Sequence, residues 1–178
     1  MEGKMSNYIK FESYRDYPYK GVNFIDFTPT YYDLNSRNFI INEMSKIIDS
    51  LNIDFNNTII VAPDARGFIM GSILAHEYNL PLILVRKESK FPPESISVAK
   101  SYDTEYSTDI LAMQEYDLDG KTCLFIDDVF ATGGTYNATK DLCCLLGADD
   151  CIPIVIYDVG ISDKIDHILY SVFNQSNL

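Results

Sequence analysis

Four short runs of apolar, largely β-branched residues constrain the fold of this chain more than any other feature. They are TIIVA (58–62), LILV (82–85), TCLFI (122–126) and IPIVIY (152–157). The runs are apolar throughout rather than alternating, which is typical of strands in a parallel sheet covered on both faces. Helical stretches are predicted between or before these strands, at 35–51, 68–78 and 135–146. This order predicts an α/β fold with a central, mostly parallel sheet flanked by helices.

Composition and charge exclude several classes of function. The 178 residues are 47% hydrophobic, which fits a single domain spanning 1–178. The formal charge of −12 argues against a nucleic-acid or anionic-membrane partner, because phosphate surfaces need a basic footprint. No apolar run approaches the roughly 18 residues of a membrane span, and the first ten residues lack the apolar segment of a secretory signal. A soluble, cytoplasmic protein is predicted.

The cysteines and histidines form no recognisable metal motif. The four cysteines show no C-x-x-C spacing, and the two histidines complete no zinc pattern. We therefore expect four reduced and mostly buried thiols, as is usual in the cytoplasm.

Two segments interrupt the alternation of strands and helices. Residues 15–32 are rich in Tyr, Pro and Phe and are predicted to form an irregular hood beside the site. Residues 91–118 carry many hydroxyl and charged side chains and are predicted to leave the sheet, either as exposed antiparallel strands or as a mobile loop.

The motif CLFIDDVFATGGT (123–135) carries the chemistry. Ligands of open α/β sheets bind beyond the carboxyl ends of the strands, where Asp127 and Asp128 are expected. The following ATGGT segment opens a helix, and its glycines allow backbone N–H groups to converge on an anion. A sugar phosphate suits both parts, because the loop binds its phosphate and the carboxylates bind its vicinal hydroxyls. The G-K-[ST] of a P-loop is missing.

Together with this motif, three further segments make the sequence resemble the type I phosphoribosyltransferases, and among these the adenine phosphoribosyltransferases. CLFIDDVFATGGT is similar to the signature that binds phosphoribosyl pyrophosphate. GVNFIDFTP (21–29) resembles the base-binding segment, and AKSYDTEYS (99–107) resembles the mobile catalytic loop. APDARGFIMG, followed by LILVRKESKFP, resembles the pyrophosphate loop and the basic strand end after it. The resemblance covers about residues 15–160.

The resemblance implies a binding site for each part of the donor. The pyrophosphate is expected at Asp64, Ala65, Arg66, Gly67, Arg86, Lys87 and Lys90. The ribose 5-phosphate is expected at Asp127, Asp128, Ala131, Thr132, Gly133, Gly134 and Thr135. The cofactor is expected to be Mg²⁺, which bridges the ribose hydroxyls and the pyrophosphate and is held mainly by the substrate. Asp127 and Asp128 contact the hydroxyls directly or through the metal.

The resemblance also implies the residues that act on the reacting groups. The expected catalytic residues are Glu105, Tyr106, Asp127 and Arg66. Our hypothesis is that Glu105 acts as general acid–base, a role worth about 10²–10⁴-fold in rate. The base is expected to stack on Phe24, to meet the backbone of Asn23 and Ile25, and to have Tyr157 on its opposite face. As an alternative, Phe24 is a core aromatic residue.

Three functions remain open at this stage. The first is transfer of phosphoribosyl to adenine, which gives AMP and pyrophosphate in purine salvage. The second keeps the donor but uses hypoxanthine, guanine or a pyrimidine, and the third is a regulator that senses phosphoribosyl pyrophosphate without turnover. The last predicted strand lacks the Lys that 6-oxopurine enzymes commonly place there, which favours adenine. However, Ile25 stands where adenine-specific relatives usually carry Arg, and Ile156-Tyr157 replaces their acidic residue and Leu. The resemblance further implies a homodimer.

Overall fold

The structure, a computed structural model, describes residues 3–95, 98–103, 108–161 and 166–177. Its strands are β1 (Glu12–Arg15), β2 (Asn23–Asp26), β3 (Thr58–Pro63), β4 (Leu82–Lys87), β5 (Val98–Asp103), β6 (Thr108–Met113), β7 (Thr122–Phe130), β8 (Asp150–Asp158) and β9 (Tyr170–Asn174). Its α-helices are α1 (Thr28–Tyr32), α2 (Leu34–Ser50), α3 (Gly67–Glu77) and α4 (Gly134–Leu145). The three helices predicted from the sequence are confirmed to within one residue at each end.

A seven-stranded sheet in the order β5-β6-β4-β3-β7-β8-β9 forms the centre of the molecule. The strands from β4 to β9 in this order run parallel, whereas β6 pairs antiparallel with both β4 and β5. The predicted α/β fold with a mostly parallel sheet is confirmed. β3 is the middle strand of the sheet and pairs in parallel with β7. The carboxyl ends of these two strands therefore lie side by side.

The core consists of one apolar layer on each face of the sheet. Ile60, Leu124 and Ile154 point to the face covered by α2 and α3, where Ile40 and Leu74 pack against them. The neighbouring strand residues point to the opposite face, where α4 contributes Leu142. Because both faces are covered, the strands are apolar throughout, as their sequences predict. Within the part of the chain that the structure describes, every helix is too short or too polar to span a bilayer.

The segment 91–118 adopts antiparallel strands, one of the two predicted alternatives. β5 and β6 form a hairpin, and β6 continues the sheet through Arg86↔Ala112 and Lys87↔Leu111. The expectation that this excursion is exposed is wrong for Leu111, Ala112 and Met113, which are buried. Pairing with β4 brings these residues into the sheet, where α4 and neighbouring strands exclude water.

Two further features were not predicted from the sequence. The segment 15–32 is more regular than expected, because β1 and β2 pair as an antiparallel hairpin and α1 follows. β9 pairs in parallel with β8 and extends the far edge of the sheet. Its sequence, YSVFN, lacks the continuous apolar character of the predicted strands.

Candidate active site

A cavity of about 640 Å³ opens at the carboxyl ends of β3 and β7. Three segments supply most of its wall, namely 21–25, 64–66 and 127–136. They correspond to the predicted base-binding segment, pyrophosphate loop and sugar-phosphate motif. The fold therefore brings together three parts of the sequence that are far apart along the chain.

The ATGGT segment forms the entrance to α4 on one side of the cavity. Residues 131–135 all line the cavity, and α4 begins at Gly134. Gly133 has a φ of 82°, a left-handed conformation that a residue without a Cβ adopts readily. The first N–H groups of the helix have no intrahelical acceptors, and the helix dipole makes this end positive. This geometry suits a phosphate, and binding of the 5-phosphate here stays a prediction.

The aspartate pair is more buried than the sequence suggested. β7 continues to Phe130, so Asp127 and Asp128 lie within the strand rather than at a solvated rim beyond it. Its partner β8 continues alongside to Asp158, and this pairing extends the strand. Asp128 is only 2% exposed, while Asp127 is partly exposed and lines the cavity. Each carboxylate accepts a hydrogen bond from the next residue's backbone N–H, at 2.9 and 2.8 Å.

Arg66 connects the acidic pair to the base-binding segment. Its Nη1 lies 3.0 Å from Oδ2 of Asp128, and its guanidinium lies over the ring of Phe24, 5.3 Å from the centroid. The first contact is an ion pair without hydrogen-bond geometry, so neither atom has a hydrogen-bond partner among the described residues. The cation predicted to hold pyrophosphate thus lies in the cavity wall, beside the acidic pair.

Burial and mutual repulsion shift the ionisation of both aspartates. Burial raises the pKa of Asp127 well above its ordinary value, and the neighbouring charge of Asp128 raises it further. Burial also raises the pKa of Asp128, although the cation of Arg66 opposes this shift. The pair therefore binds protons more readily than free aspartates do. A ligand that supplies hydroxyl donors or a cation would stabilise the ionised pair.

The pyrophosphate loop lies at the cavity, but the basic strand end does not. Asp64, Ala65 and Arg66 line the cavity, and the Asp64–Ala65 peptide is cis. Among the described residues that line the cavity, none comes from 86–90. Lys90 instead forms an ion pair with the buried Asp64 carboxylate at 2.8 Å.

Arg86 and Gly67, two further residues of the predicted pyrophosphate site, pack against neighbouring residues of the fold. The Arg86 guanidinium packs on the rings of Phe68 and Phe91, at 6.0 and 5.7 Å. Gly67 allows close packing behind Arg66, since a Cβ there would lie 2.8 Å from the carbonyl oxygen of Ile126.

The base-binding segment presents Phe24 to the cavity. Asn23, Phe24 and Ile25 all line it, and Tyr17 contacts Phe24 edge-on, with 5.4 Å between the ring centroids. Phe24 thus forms part of the cavity wall, with the Arg66 guanidinium over its ring. Ile25 is largely buried and supplies no cation at the position where Arg was expected from the resemblance.

Tyr157 does not form the opposite wall, and this prediction is wrong. Its side chain is 3% exposed and lies in the core layer beneath α2. β8 lies between β7 and β9, and the helix layer covers this face of the strand. Val129, Val159 and Ile161 supply apolar lining of the cavity, whereas Tyr157 is not among its lining residues. Gln175, which also lines the cavity, donates a hydrogen bond from Nε2 to the Val159 carbonyl. Val129 belongs to the sugar-phosphate motif, but no sequence signal marked Val159, Ile161 and Gln175, which follow β8 along the chain.

The predicted catalytic-loop residues Glu105 and Tyr106 lie outside the described residues. In the described ranges, no three His, Cys, Asp or Glu side chains converge as ligands for a metal ion.

The fold and the cavity together define an α/β protein whose cavity lining, with a helix N-terminus and two acids, suits a phosphorylated sugar. Residues 29–175 match the family model described as the phosphoribosyl transferase domain. The chain belongs to this family, and the predicted membership is confirmed.

Two curated relatives that match this chain are adenine phosphoribosyltransferases. The chain is 40% identical over 134 residues to the adenine phosphoribosyltransferase of Malacoplasma penetrans (strain HF-2), covering 75% of this chain and 74% of that protein. It is 39% identical over 135 residues to the enzyme of the same name from Pseudothermotoga lettingae, covering 75% and 76%.

Two solved structures that superpose on this chain are also adenine phosphoribosyltransferases. The crystal structure of adenine phosphoribosyltransferase from Thermoanaerobacter pseudethanolicus superposes with a TM-score of 0.80 and 30% identity, covering 92% of this chain and 95% of that one. The Giardia lamblia enzyme complexed with 9-deazaadenine gives 0.78 and 26%, covering 93% of each chain.

Proposed function

We propose that this enzyme transfers the 5-phosphoribosyl group of phosphoribosyl pyrophosphate to adenine, giving AMP and pyrophosphate in purine salvage. One observation carries the proposal, namely that the α4 N-terminus, the aspartate pair and Phe24 face a single cavity in a member of the phosphoribosyltransferase family. The adenine phosphoribosyltransferase relatives support the choice of acceptor.

The sugar phosphate fits the end of the cavity formed by β7 and α4. The 5-phosphate binds the backbone N–H groups of 131–135 and the hydroxyls of Thr132 and Thr135, where the helix dipole favours negative charge. Asp127, the more accessible carboxylate, accepts hydrogen bonds from the ribose hydroxyls. Asp128 supports it from the buried side.

Arg66 binds the pyrophosphate together with the backbone of Asp64, Ala65 and Gly67. A guanidinium suits this anion because it can donate two parallel hydrogen bonds. Arg86, Lys87 and Lys90 contribute positive charge from outside the cavity. Since no trio of metal ligands converges in the described residues, we propose that Mg²⁺ enters with phosphoribosyl pyrophosphate and is held mainly by its oxygens.

In the reaction, the bond from ribose C1 to pyrophosphate breaks while a bond from adenine N9 to C1 forms. The electron pair leaves with pyrophosphate, and the N9 proton must be removed. We predict that Glu105 handles this proton and that Tyr106 helps to cover the site, excluding water from the cationic transition state. Turnover of Glu105→Gln within about threefold of the parent would contradict the role of Glu105.

The choice of base depends on the apolar cavity wall. Phe24 stacks on the purine, while the backbone of Asn23 and Ile25 meets its edge. No lysine is present in β8 to meet a 6-oxo group, and this supports adenine over hypoxanthine or guanine.

An assay with separate bases tests the proposal. The protein is incubated with Mg²⁺, phosphoribosyl pyrophosphate and one nucleobase at a time, and the nucleotide is quantified by chromatography. We expect AMP from adenine, with a magnesium-free reaction as the control for the metal. Product only from another base would replace the acceptor, and no product from any base despite donor binding would favour the sensing regulator.

Two broader expectations accompany this function. We propose a homodimer, supported by the exposed apolar side chains of Tyr32, the last residue of α1, and Leu34, the first residue of α2. Sedimentation of a single 20.2 kDa species would contradict it.

We also propose that the enzyme acts in the cytoplasm, which is consistent with its four free cysteines.

A further inference from the structure

Lys90 and Asp64 form an ion pair beside the cavity, between the turn after β4 and the segment after β3. Nζ of Lys90 donates a hydrogen bond to Oδ2 of Asp64 at 2.8 Å. The Asp64 side chain is only 7% exposed, whereas that of Lys90 is 56% exposed. Within the described ranges, no other cation lies at ion-pair distance from this carboxylate. The buried acid therefore depends on Lys90 for its counter-ion.

Asp64 is the first residue of the short segment between β3 and α3, which carries Arg66. The backbone N–H of Asp64 donates to the Val85 carbonyl at 2.8 Å, and this bond ties the start of the segment to β4. At the other end, Gly67 begins α3 and is packed too closely to accept a Cβ. Only Ala65 and Arg66 lie between these two points, so the position of Asp64 strongly affects that of Arg66.

The turn that carries Lys90 is held against α3 by contacts of its own. This turn, Glu88–Lys90, directly follows β4. The Arg86 guanidinium lies 5.7 Å from the ring centroid of Phe91, the next residue after Lys90, and 6.0 Å from that of Phe68 in α3. The Lys90 ammonium thus has a partner supplied by the fold before any substrate binds.

We infer that Lys90 is a positioning residue for the pyrophosphate site, because it holds the Asp64 carboxylate and with it the segment that presents Arg66. The inference rests on the proposed function, since it takes 64–67 as the pyrophosphate-binding segment. Lys90 is not among the described residues that line the cavity, so it acts through Asp64 and not as a ligand of the pyrophosphate. Without the ammonium, Asp64 would be a buried charge without a counter-ion and would turn toward water, which displaces Arg66.

Lys90→Met tests this role because it removes the ammonium and keeps an unbranched apolar side chain. We expect the KM for phosphoribosyl pyrophosphate to rise about tenfold, with kcat and the KM for adenine within twofold of the parent. The melting temperature should fall by a few degrees, because the buried carboxylate loses its partner. A donor KM within twofold of the parent would overturn the inference.

The same substitution in an Asp64→Asn background distinguishes positioning from direct binding. The Asn amide is uncharged and needs no counter-ion, so Lys90→Met should there raise the donor KM less than twofold. The double variant should also melt at a higher temperature than Lys90→Met alone, since it contains no unpaired buried charge. A further tenfold rise in the donor KM in this background would make Lys90 a direct ligand and overturn the positioning role.

Lys46→Met is the matched control for the loss of one positive charge in a chain of net charge −12. It breaks the ion pair of Lys46 with Glu43, 2.6 Å apart on α2, and Lys46 does not line the cavity. This variant should keep the kinetic constants of the parent. An equal rise in the donor KM in Lys46→Met and Lys90→Met would assign the effect to net charge and overturn the inference.

Calorimetric binding of magnesium pyrophosphate separates this inference from the proposed function. The parent should bind magnesium pyrophosphate about tenfold more tightly than Lys90→Met, whichever nucleobase is the acceptor. A lack of AMP formation with this difference intact would contradict the proposed acceptor and support the role of Lys90. Equal affinity of the two proteins would overturn that role, even where adenine is the acceptor.

Discussion

At Asp127 and Asp128 the chain holds two adjacent carboxylates in a position that costs stability. Both pKa values are raised by burial, and one guanidinium compensates two acids. The same burial makes the pair sensitive to a ligand, since hydrogen-bond donors and cations act strongly in a poorly solvated site. Residues that prepare the site for substrate thus oppose the folding of the free protein.

Asp127→Asn should make the protein more stable and less active. The folded-state pKa of Asp127 lies above its unfolded value, so folding takes up protons and ionised Asp127 destabilises the fold increasingly as pH rises through this range. We expect the melting temperature at pH 7 to rise by a few degrees and to depend less on pH between about 4 and 7. We expect kcat/KM for the donor to fall about tenfold or more.

The exposed Asp117→Asn is the control, because it removes a charge without changing a buried carboxylate. Scanning calorimetry at several pH values measures the effect on each variant. A lower melting temperature for Asp127→Asn at pH 7 would mean that the carboxylate stabilises the fold.

Gly67→Ala should damage both stability and donor binding. The new Cβ would lie 2.7 Å from Cδ of Pro63 and 2.8 Å from the Ile126 carbonyl oxygen, and the backbone oxygen cannot move away easily. We expect a loss of about 1–3 kcal/mol in the free energy of unfolding, measured with urea. Displacement of Arg66 should also raise the KM for the donor.

Ser72→Ala, at an exposed position of the same helix, should change neither quantity by more than a small amount. Parent-like stability of Gly67→Ala would show that β7 and α3 can separate at little cost.

At the scale of elements, the β5–β6 hairpin is attached to the sheet on one side and to α4 on the other. β6 pairs with β4, and Lys100 of β5 forms an ion pair with Asp141 of α4 at 2.8 Å. α4 also supplies the helix N-terminus that we propose binds the phosphate. The predicted catalytic loop 99–107 overlaps β5, so its described part is attached to α4 through the Lys100–Asp141 pair.

Lys100→Ala should loosen the hairpin without unfolding the protein. Exposed ion pairs contribute about 0.2–1 kcal/mol, so the melting temperature should change little. We expect faster amide hydrogen exchange in β5, because its attachment to α4 is weakened. Lys46→Ala, which removes the surface pair with Glu43, is the control and should leave exchange in β5 unchanged. Identical exchange in both variants would assign the attachment to the sheet alone.

At the scale of the whole molecule, three of the four cysteines are buried in the core. Cys123, Cys143 and Cys151 lie in the layer beneath α4, and Cys144 is exposed. All four are free, which confirms the prediction of reduced and mostly buried thiols. A hydrogen bond with Cys143, together with burial, raises the pKa of Cys123 well above that of a free thiol.

A thiol reagent should therefore distinguish one cysteine from the other three. We expect one equivalent of a dithiobenzoate reagent to react quickly with the native protein, and four to react in denaturant, because a thiol must be exposed and ionised to react. Cys144→Ser should abolish the fast reaction. Rapid modification of any thiol in that variant would show that the layer beneath α4 opens readily.

The central strands, the three long helices and the sugar-phosphate motif were predictable because they depend on local patterns. TIIVA and TCLFI are apolar without alternation, and ATGGT removes side chains where a phosphate approaches. Such patterns reflect burial on both faces and backbone geometry, which a few neighbouring residues determine. The family itself was indicated by the resemblance of the quoted motifs, which also pointed to the three segments that line the cavity.

Only the tertiary structure decided how these segments meet. The pairing of Arg66 with Asp128, the core position of Tyr157 and the unpartnered hydroxyl of Tyr31 depend on strand register and on the packing of distant segments. A shift of one residue along β8 would exchange its two faces, and Tyr157 would then point to the other layer. Sequence by itself determined the elements and the chemistry of each motif, and long-range packing determined which charges and rings face the substrate.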